Sequence, residues 1–181
     1  MLLTCKRPSW LLIDTPKNTK ALQALPAAWA IVATKFGDMF VYIVNDQVVA
    51  AHFVDDGADV KRLAASYAAD APRSDQAVIA LLQQPEIEVV LQGTKLQQLV
   101  WSRLAQIPEG EMLTYSQVAA LAGHDKAVRA VASAIGANVV AGLIPCHRVV
   151  RKSGELGGYR WGVERKAQML GAETQNQFAL I

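Results

Sequence analysis

The stretch Ile144-Pro145-Cys146-His147-Arg148-Val149 sets a thiol, an imidazole and a guanidinium side by side in an apolar setting. That set can do nucleophilic chemistry: the sulfur attacks, the imidazole takes its proton, and a nearby cation favours the thiolate. A free thiol with a pKa near 8.5 is only about 3% ionised at pH 7. Full ionisation therefore gains roughly 30-fold in rate, about 2 kcal/mol. Holding an electrophile in line with the sulfur contributes more, about 7–11 kcal/mol. The pocket around Cys146 is thus expected to matter more than the acidity of its thiol. The same residues also fit a buried structural cysteine beside a satisfied histidine. Neighbouring side chains often point apart, so a Cys146–His147 couple calls for a bridging water.

Charge is unevenly spread. The net charge of the 181 residues is only +2. Yet Lys126, Arg129, Arg148, Arg151, Lys152, Arg160, Arg165 and Lys166 are opposed between positions 126 and 166 only by Glu155 and Glu164. That is a local excess of +6, which leaves −4 for the rest of the chain. A basic region on an acidic body points to a localised polyanion site, although solvated charge clusters look similar. The two cysteines, Cys5 and Cys146, are expected to be free thiols. No Cys-x-x-Cys or His-x-x-x-His spacing occurs, so neither metal nor cofactor is expected. No apolar run approaches the roughly 18 residues of a membrane span. The start, Met1-Leu2-Leu3-Thr4-Cys5-Lys6-Arg7, does not read as a signal peptide. The expectation is a soluble, cytoplasmic monomer without a membrane partner.

These residues need elements to hold them. Residues 30–34, 39–44 and 48–53 are rich in β-branched and aromatic types, with Gly37-Asp38 and Asn45-Asp46 between them. They read as an antiparallel meander of three strands. Val60 to Ala69 reads as a helix stopped near Pro72, and Ser74 can cap another that ends before Pro85. Ile87 to Leu91 is a candidate further strand. After Gly93 the period becomes helical: Leu96, Leu99, Val100 and Leu104 put Thr94 to Gln106 on an amphipathic helix. Thr114 and Gln117 have capping-box spacing. The short helix they open is followed by a turn at Gly123-His124-Asp125 and a helix from Lys126 to about Ala137. Val128, Val131 and Ile135 form its inner face. Its outer face carries Lys126, Arg129 and Ser133 among Ala127, Ala130 and Ala134. Two short helices about a tight turn suggest a helix-turn-helix, or a plain helical hairpin. The smooth outer face would let a ligand approach, with Arg129 protruding. The tail from Thr174 to Gln177 reads as loosely ordered.

Pro145-Cys146-His147-Arg148-Val149 resembles the active-site signature of the O6-alkylguanine-DNA alkyltransferases, the methylated-DNA–protein-cysteine methyltransferases. The likeness extends over roughly residues 92–173. It includes Gly93-Thr94, Val100-Trp101, Ile107-Pro108-Glu109-Gly110, Tyr115-Ser116, Arg129-Ala130-Val131, Asn138, Gly154, Gly157-Gly158-Tyr159-Arg160-Trp161-Gly162 and Lys166. Residues 29–54 are similar to the family's N-terminal part more loosely. The resemblance implies DNA repair by direct reversal: one irreversible transfer of a methyl or other alkyl group from O6-alkylguanine to Cys146. O4-alkylthymine is left open as a second substrate. His147 would take the thiol proton through a water, Glu173 would orient His147, and Asn138 would brace the segment. Tyr115, Val149, Tyr159, Arg160 and Trp161 would form the pocket for a flipped base. There Tyr115 would bond N3, the Arg160 amide O6, and the Cys146 and Val149 carbonyls the exocyclic amine. Arg129, with Lys126, Ala130, Ser133 and Tyr115, would meet double-stranded DNA through the minor groove, Arg129 filling the vacated stack. Leu96 and Val139 depart from residues common in the family, and Arg160-Trp161 from a smaller pair in some relatives.

The fold class this implies is α+β. A structural domain over 1–90 holds a three-stranded antiparallel sheet with helices, ribonuclease H-like. A transferase and DNA-binding domain over 91–181 is helical and winged-helix-like. Two other readings stay open on the residues alone. A binding module that senses damaged bases would have no use for Cys146. A cysteine hydrolase would need an oxyanion hole that the sequence does not identify.

Overall fold

The computed structural model describes residues 11–14 and 25–175. Cys5, and the end of the tail at Asn176 and Gln177, lie outside the described residues. The chain divides into two compact units, with the boundary between Gln92 and Gly93.

The first unit is built on one sheet. Strands β1 (Leu11–Asp14), β2 (Ala27–Thr34), β3 (Gly37–Val44), β4 (Gln47–Phe53) and β5 (Glu88–Leu91) stand in the order β1-β5-β4-β3-β2. The expected meander is present as β2-β3-β4, antiparallel throughout. The sheet is nevertheless five-stranded and mixed, because β5 pairs in parallel with both β1 and β4. Strand β1 gives no signal in the sequence: it is four residues long, and its ladder partner lies more than 70 positions away. The β3–β4 turn is Asn45-Asp46, both at positive φ (50° and 58°), as a twisted two-residue hairpin requires. The β2–β3 turn falls at Lys35-Phe36 instead of Gly37-Asp38, since Gly37 pairs with Thr34. Val48 to Phe53 are all buried, which is why β4 reads as a continuous apolar run: it lies between two neighbours with both faces covered.

Among the described residues this unit also has helices α1 (Gly57–Tyr67) and α2 (Asp75–Leu82). Asp56 caps the first through Asp59 N, and Ser74 caps the second through Ala77 N. Leu63 of α1 joins a core with Phe40, Val54 and Ala68, and Trp29 stacks on Phe40 at 5.5 Å.

The second unit contains α3 (Lys95–Leu104), β6 (Leu113–Thr114), α4 (Tyr115–Leu121), α5 (Val128–Gly136), β7 (Val149–Val150) and α6 (Val163–Thr174). The expected capping box of Thr114 with Gln117 forms, and Thr94, read as the first residue of its helix, is instead an N-cap that makes a second box with Gln97. Gly123, at φ +69°, ends the α4 turn. A 3-10 turn over Asp125–Ala127 replaces the first turn expected of α5. Val100, Trp101 and Leu104 of α3, Val118 of α4, and Val131 and Ile135 of α5 are buried. The Trp101 indole N–H donates to the Ala134 carbonyl at 2.8 Å, which ties α3 to α5. Ala134, read from the sequence as part of the outer face, is buried: it stands three residues after Val131, on the flank of the inner face. Among the described residues no helix is long and apolar enough to cross a membrane.

Candidate active site

A two-stranded parallel ladder organises the centre of the second unit. Leu113 pairs with Val149 and Thr114 with Val150. Thr114 is also the N-cap of α4, so the ladder brings Tyr115, the first residue of that helix, beside the 3-10 turn Cys146–Arg148.

Cys146 is 6% exposed and lines a cavity of about 540 Å³. Tyr115, Arg129, Asn138, Tyr159, Arg160 and Trp161 are among its other walls. The size is ordinary for a small-molecule site. Asn138 is buried and holds the segment from inside. Its Nδ2 donates to the Ile144 carbonyl at 3.1 Å and to Cys146 Sγ at 3.1 Å, while its Oδ1 accepts from Val140 N at 3.0 Å. Burial pushes the Cys146 thiol up to about 11, although the Asn138 hydrogen bond and the charges of Lys166 and Arg160 pull it down. The adjacent basic residues thus leave the resting thiol protonated, contrary to the activation that their positions suggest, because desolvation penalises the thiolate more.

Behind the sulfur lies a sealed polar network. His147 is fully buried and its Nε2 stands 2.7 Å from Glu173 Oε1. Arg148 Nε donates to both Glu173 oxygens at 3.0 Å, Nη2 donates to Oε1 at 2.8 Å, and Nη1 donates to the Ile107 carbonyl at 2.6 Å. Gly110 N donates to Glu173 Oε2 at 3.2 Å. Burial raises the Glu173 carboxyl, but the hydrogen bonds and charges of His147 and Arg148 together outweigh it and hold the group at about 2. Burial lowers the His147 pKa, with Glu173 opposing, so the imidazole rests neutral. With Nε2 against the ionised Glu173, the neutral ring carries its proton on Nε2. The sequence suggests surface charge at Arg148; the residue is instead the carboxylate's main donor. Lys166, too, is fully buried. The six remaining basic residues of 126–166, against Glu155 and Glu164, leave +4 at the accessible surface instead of +6.

The cavity wall contains Tyr159, which packs edge-on against Trp161 at 5.2 Å, and Arg160, whose Nε donates to the Gly136 carbonyl at the end of α5. Tyr115 is half-buried, and burial raises its phenol pKa. A Cβ at Gly157 would stand 3.0 Å from the Tyr115 hydroxyl, and Gly157 has φ +69°, so only glycine lets this loop pass Tyr115. Lys126, Arg129, Ala130 and Ser133 follow one another along α5 and its leading turn, at the outer surface of the unit. Val149 is buried and is not among the cavity walls; its carbonyl receives the Lys166 ammonium at 2.5 Å.

Residues 95–175 match the family model described as the 6-O-methylguanine DNA methyltransferase, DNA binding domain. This stretch belongs to the alkyltransferase family. The alkyltransferase stretch is similar to the regulatory protein ada of Salmonella typhimurium, 60% identical over 87 residues. That alignment covers 48% of this chain and 25% of the relative. It is also similar to the bifunctional transcriptional activator/DNA repair enzyme Ada of Escherichia coli, 54% identical over 104 residues, covering 55% of this chain and 29% of the relative. The chain thus spans about a quarter of the length of these relatives. Similarity to the O6-methylguanine methyltransferase of Mycobacterium tuberculosis reaches further: its crystal structure gives a TM-score of 0.71 at 28% identity, covering 84% of this chain and 96% of that one. The same protein in complex with DNA gives 0.65 at 28% identity, with the same coverage. The α+β fold of both units therefore has a solved counterpart in an alkyltransferase.

Proposed function

We propose that this protein repairs double-stranded DNA by moving the alkyl group of O6-alkylguanine onto Cys146, once per molecule. The observation that carries this reading is the position of Cys146 Sγ, on the wall of a cavity beside Arg129 and Tyr115 and next to the buried His147–Glu173 pair. The name of the E. coli relative and the M. tuberculosis complex with DNA support it.

A thiol held near 11 is about 1 part in 10⁴ ionised at pH 7. The resting sulfur is thus protected from stray electrophiles, and its proton must leave when the base is in place. Neutral His147 accepts that proton through a water at Nδ1, and the ionised Glu173 stabilises the imidazolium. The S–C bond forms as the C–O6 bond breaks, and the electron pair passes to guanine. Tyr115 donates toward N3 of the leaving base, and the Arg160 amide stabilises O6. The product thioether is a poor leaving group, so no step restores the thiol.

The base reaches Cys146 only by leaving the stack. Arg129 takes its place from the minor groove, and Lys126, Ala130 and Ser133 let α5 lie close to the backbone. Tyr159 and Trp161 flank the flipped base. The finer fold descriptions belong here as well. A ribonuclease H-like first unit rests on the meander extended by parallel strands, and a winged-helix-like second unit on α4 and α5 beside the β6–β7 ladder. A cytoplasmic monomer fits the same reading.

The test is mass spectrometry after incubation with a duplex containing O6-methylguanine. One methyl mass on the Cys146 peptide is expected, in proportion to the guanine restored. An unmodified peptide after complete repair refutes the reading. Cys146→Ala is expected to abolish transfer and keep DNA binding. A duplex with O4-methylthymine in the same assay reads the second substrate.

A further inference from the structure

The cavity beside Cys146 is walled by three guanidinium groups, Arg129, Arg151 and Arg160, and by no carboxylate. Two of the three have a use already. Arg129 is the residue that fills the vacated stack in the reading above. Arg151 Nη1 bonds Glu155 Oε2 at 3.1 Å, so a neighbouring acid offsets its charge. Arg160 is different. Its backbone amide serves the steps above, but its side chain does not. Nε donates to the Gly136 carbonyl at 3.1 Å, and among the described residues the guanidinium makes no ion pair.

Gly136 is the last residue of α5, so its carbonyl has no partner inside the helix. The bond anchors the guanidinium at one nitrogen and leaves Nη1 and Nη2 as donors, on a wall of the same cavity as the sulfur. The charge also reaches Cys146, whose thiolate it favours. A flipped guanine is neutral and offers this cation no counter-charge. What stands nearest the sulfur in the loaded cavity is the O6 substituent, because its first carbon must meet Sγ.

An acidic substituent poses a problem that such a cation solves. Attack on a methylene that bears a carboxylate brings the thiolate and the carboxylate, two like charges, within a few bond lengths of each other. In a site shielded from water that repulsion opposes the reaction, and a guanidinium beside both groups relieves it. The walls also limit length. Trp161, edge-on to Tyr159 at 5.2 Å, is 9% exposed and closes one side. A carboxymethyl group is the shortest acidic substituent with a carbon open to displacement.

We propose that Arg160 extends the substrates of this protein to acidic O6 adducts: anchored on Gly136, it donates from Nη1 and Nη2 to the carboxylate of O6-carboxymethylguanine while the methylene meets Cys146 Sγ. The S–C bond forms at the methylene as the C–O6 bond breaks, and the electron pair passes to guanine. The thiol proton passes to His147, and the released guanine takes a proton from water. Cys146 ends as its S-carboxymethyl thioether. This substrate class rests on the alkyl-transfer reading, but the charge preference of the cavity can be measured without DNA.

Two pairs of reagents, each an acid and its neutral amide, read that preference. One pair is a duplex carrying O6-carboxymethylguanine and the same duplex carrying O6-carbamoylmethylguanine. The other is iodoacetate and iodoacetamide, which place the same two groups on sulfur with loss of iodide and need no DNA. Mass spectrometry of the Cys146 peptide against time gives the rates. A change in DNA affinity or in thiol ionisation acts on both members of a pair and cancels in the ratio of acid to amide.

Arg160 is exposed, so its variants are expected to fold. Arg160→Gln is expected to lower the acid-to-amide ratio about 10-fold in both pairs. Arg160→Lys, which keeps the charge, is expected to retain most of the ratio. Arg151→Gln is expected to change it less than about 2-fold, since Glu155 already offsets that charge. A ratio unmoved by Arg160→Gln in either pair, or lowered by Arg151→Gln alone, overturns the proposal. Equal losses on both duplexes assign Arg160 to a DNA phosphate and overturn it as well. So does transfer of the carbamoylmethyl group by the unsubstituted protein with none of the carboxymethyl group. Failure to acquire either group from DNA overturns instead the alkyl-transfer reading, and the iodoacetate-to-iodoacetamide ratio still decides the charge preference.

Discussion

Asn138 Nδ2 stands 3.1 Å from Cys146 Sγ and donates to it, so the residue that shapes the Val140–Ile144 segment also touches the nucleophile. The two roles are separable by substitution. Asn138→Ala removes a buried amide and leaves the Val140 amide N–H and the Ile144 carbonyl without it. A loss of about 2–3 kcal/mol is expected in urea unfolding. The Cys146 thiol should also titrate higher, because this hydrogen bond is the chief influence pulling its pKa down. Asn138→Asp, which replaces the amide donor by a carboxylate, should raise the thiol further. An unchanged thiol titration in both variants would contradict the contact.

Glu173 has four donated hydrogen bonds from Arg148 and Gly110 besides its bond with His147. Glu173→Gln leaves the Arg148 guanidinium buried without a counter-charge, and a destabilisation of about 3–5 kcal/mol is expected. Transfer should fall as well, since the His147 imidazolium loses its partner.

The same network sets the acid limit of the protein. Glu173 is held at about 2 in the fold against 4.5 as a free group, so its contribution is fully present above 4.5 and is lost as pH falls toward 2. His147 is lowered below 6.5, so unfolding takes up a proton there, and stability begins to fall below that pH. Both groups act in the same direction. Thermal unfolding followed from about pH 7 to about pH 3 should show a steady decline, flatter in Glu173→Gln below pH 4.5.

Gly157→Ala tests the approach of the loop to Tyr115. The added methyl meets the phenol hydroxyl at 3.0 Å in a backbone region that disfavours side chains. A stability loss of about 1 kcal/mol or more is expected, with slower methyl transfer as Tyr115 is displaced. Tyr115→Phe in the Gly157→Ala background should then cost less than it does alone, because the hydroxyl is already out of place.

Arg129 is exposed on α5 and lines the cavity. Arg129→Ala should leave the melting temperature within about 2 °C. DNA affinity and its dependence on salt should weaken slightly, by about one phosphate contact's worth of slope at most. Transfer from a duplex should drop much more than transfer from the free base, which needs no flipping. Equal losses on both substrates would remove Arg129 from that role.

Features settled within a few residues are legible before any folding is considered. The caps at Ser74 and Thr114, the Asn45-Asp46 hairpin, the inner face of α5 and the Cys146-His147 neighbourhood are of this kind, because local hydrogen bonding and side-chain period govern them. The pairing of β1 with β5, the hydrogen bond from Trp101 to Ala134, and the assembly of Arg148, Glu173 and Gly110 around His147 emerge only when the chain is folded. Folding also redistributes the charge. Eight basic residues near one another in sequence suggest a localised polyanion site, yet Arg148 and Lys166 lie inside, and Cys146 is pushed up to about 11. The physical reason is that desolvation depends on everything packed around a group, and most of those neighbours come from distant parts of the chain.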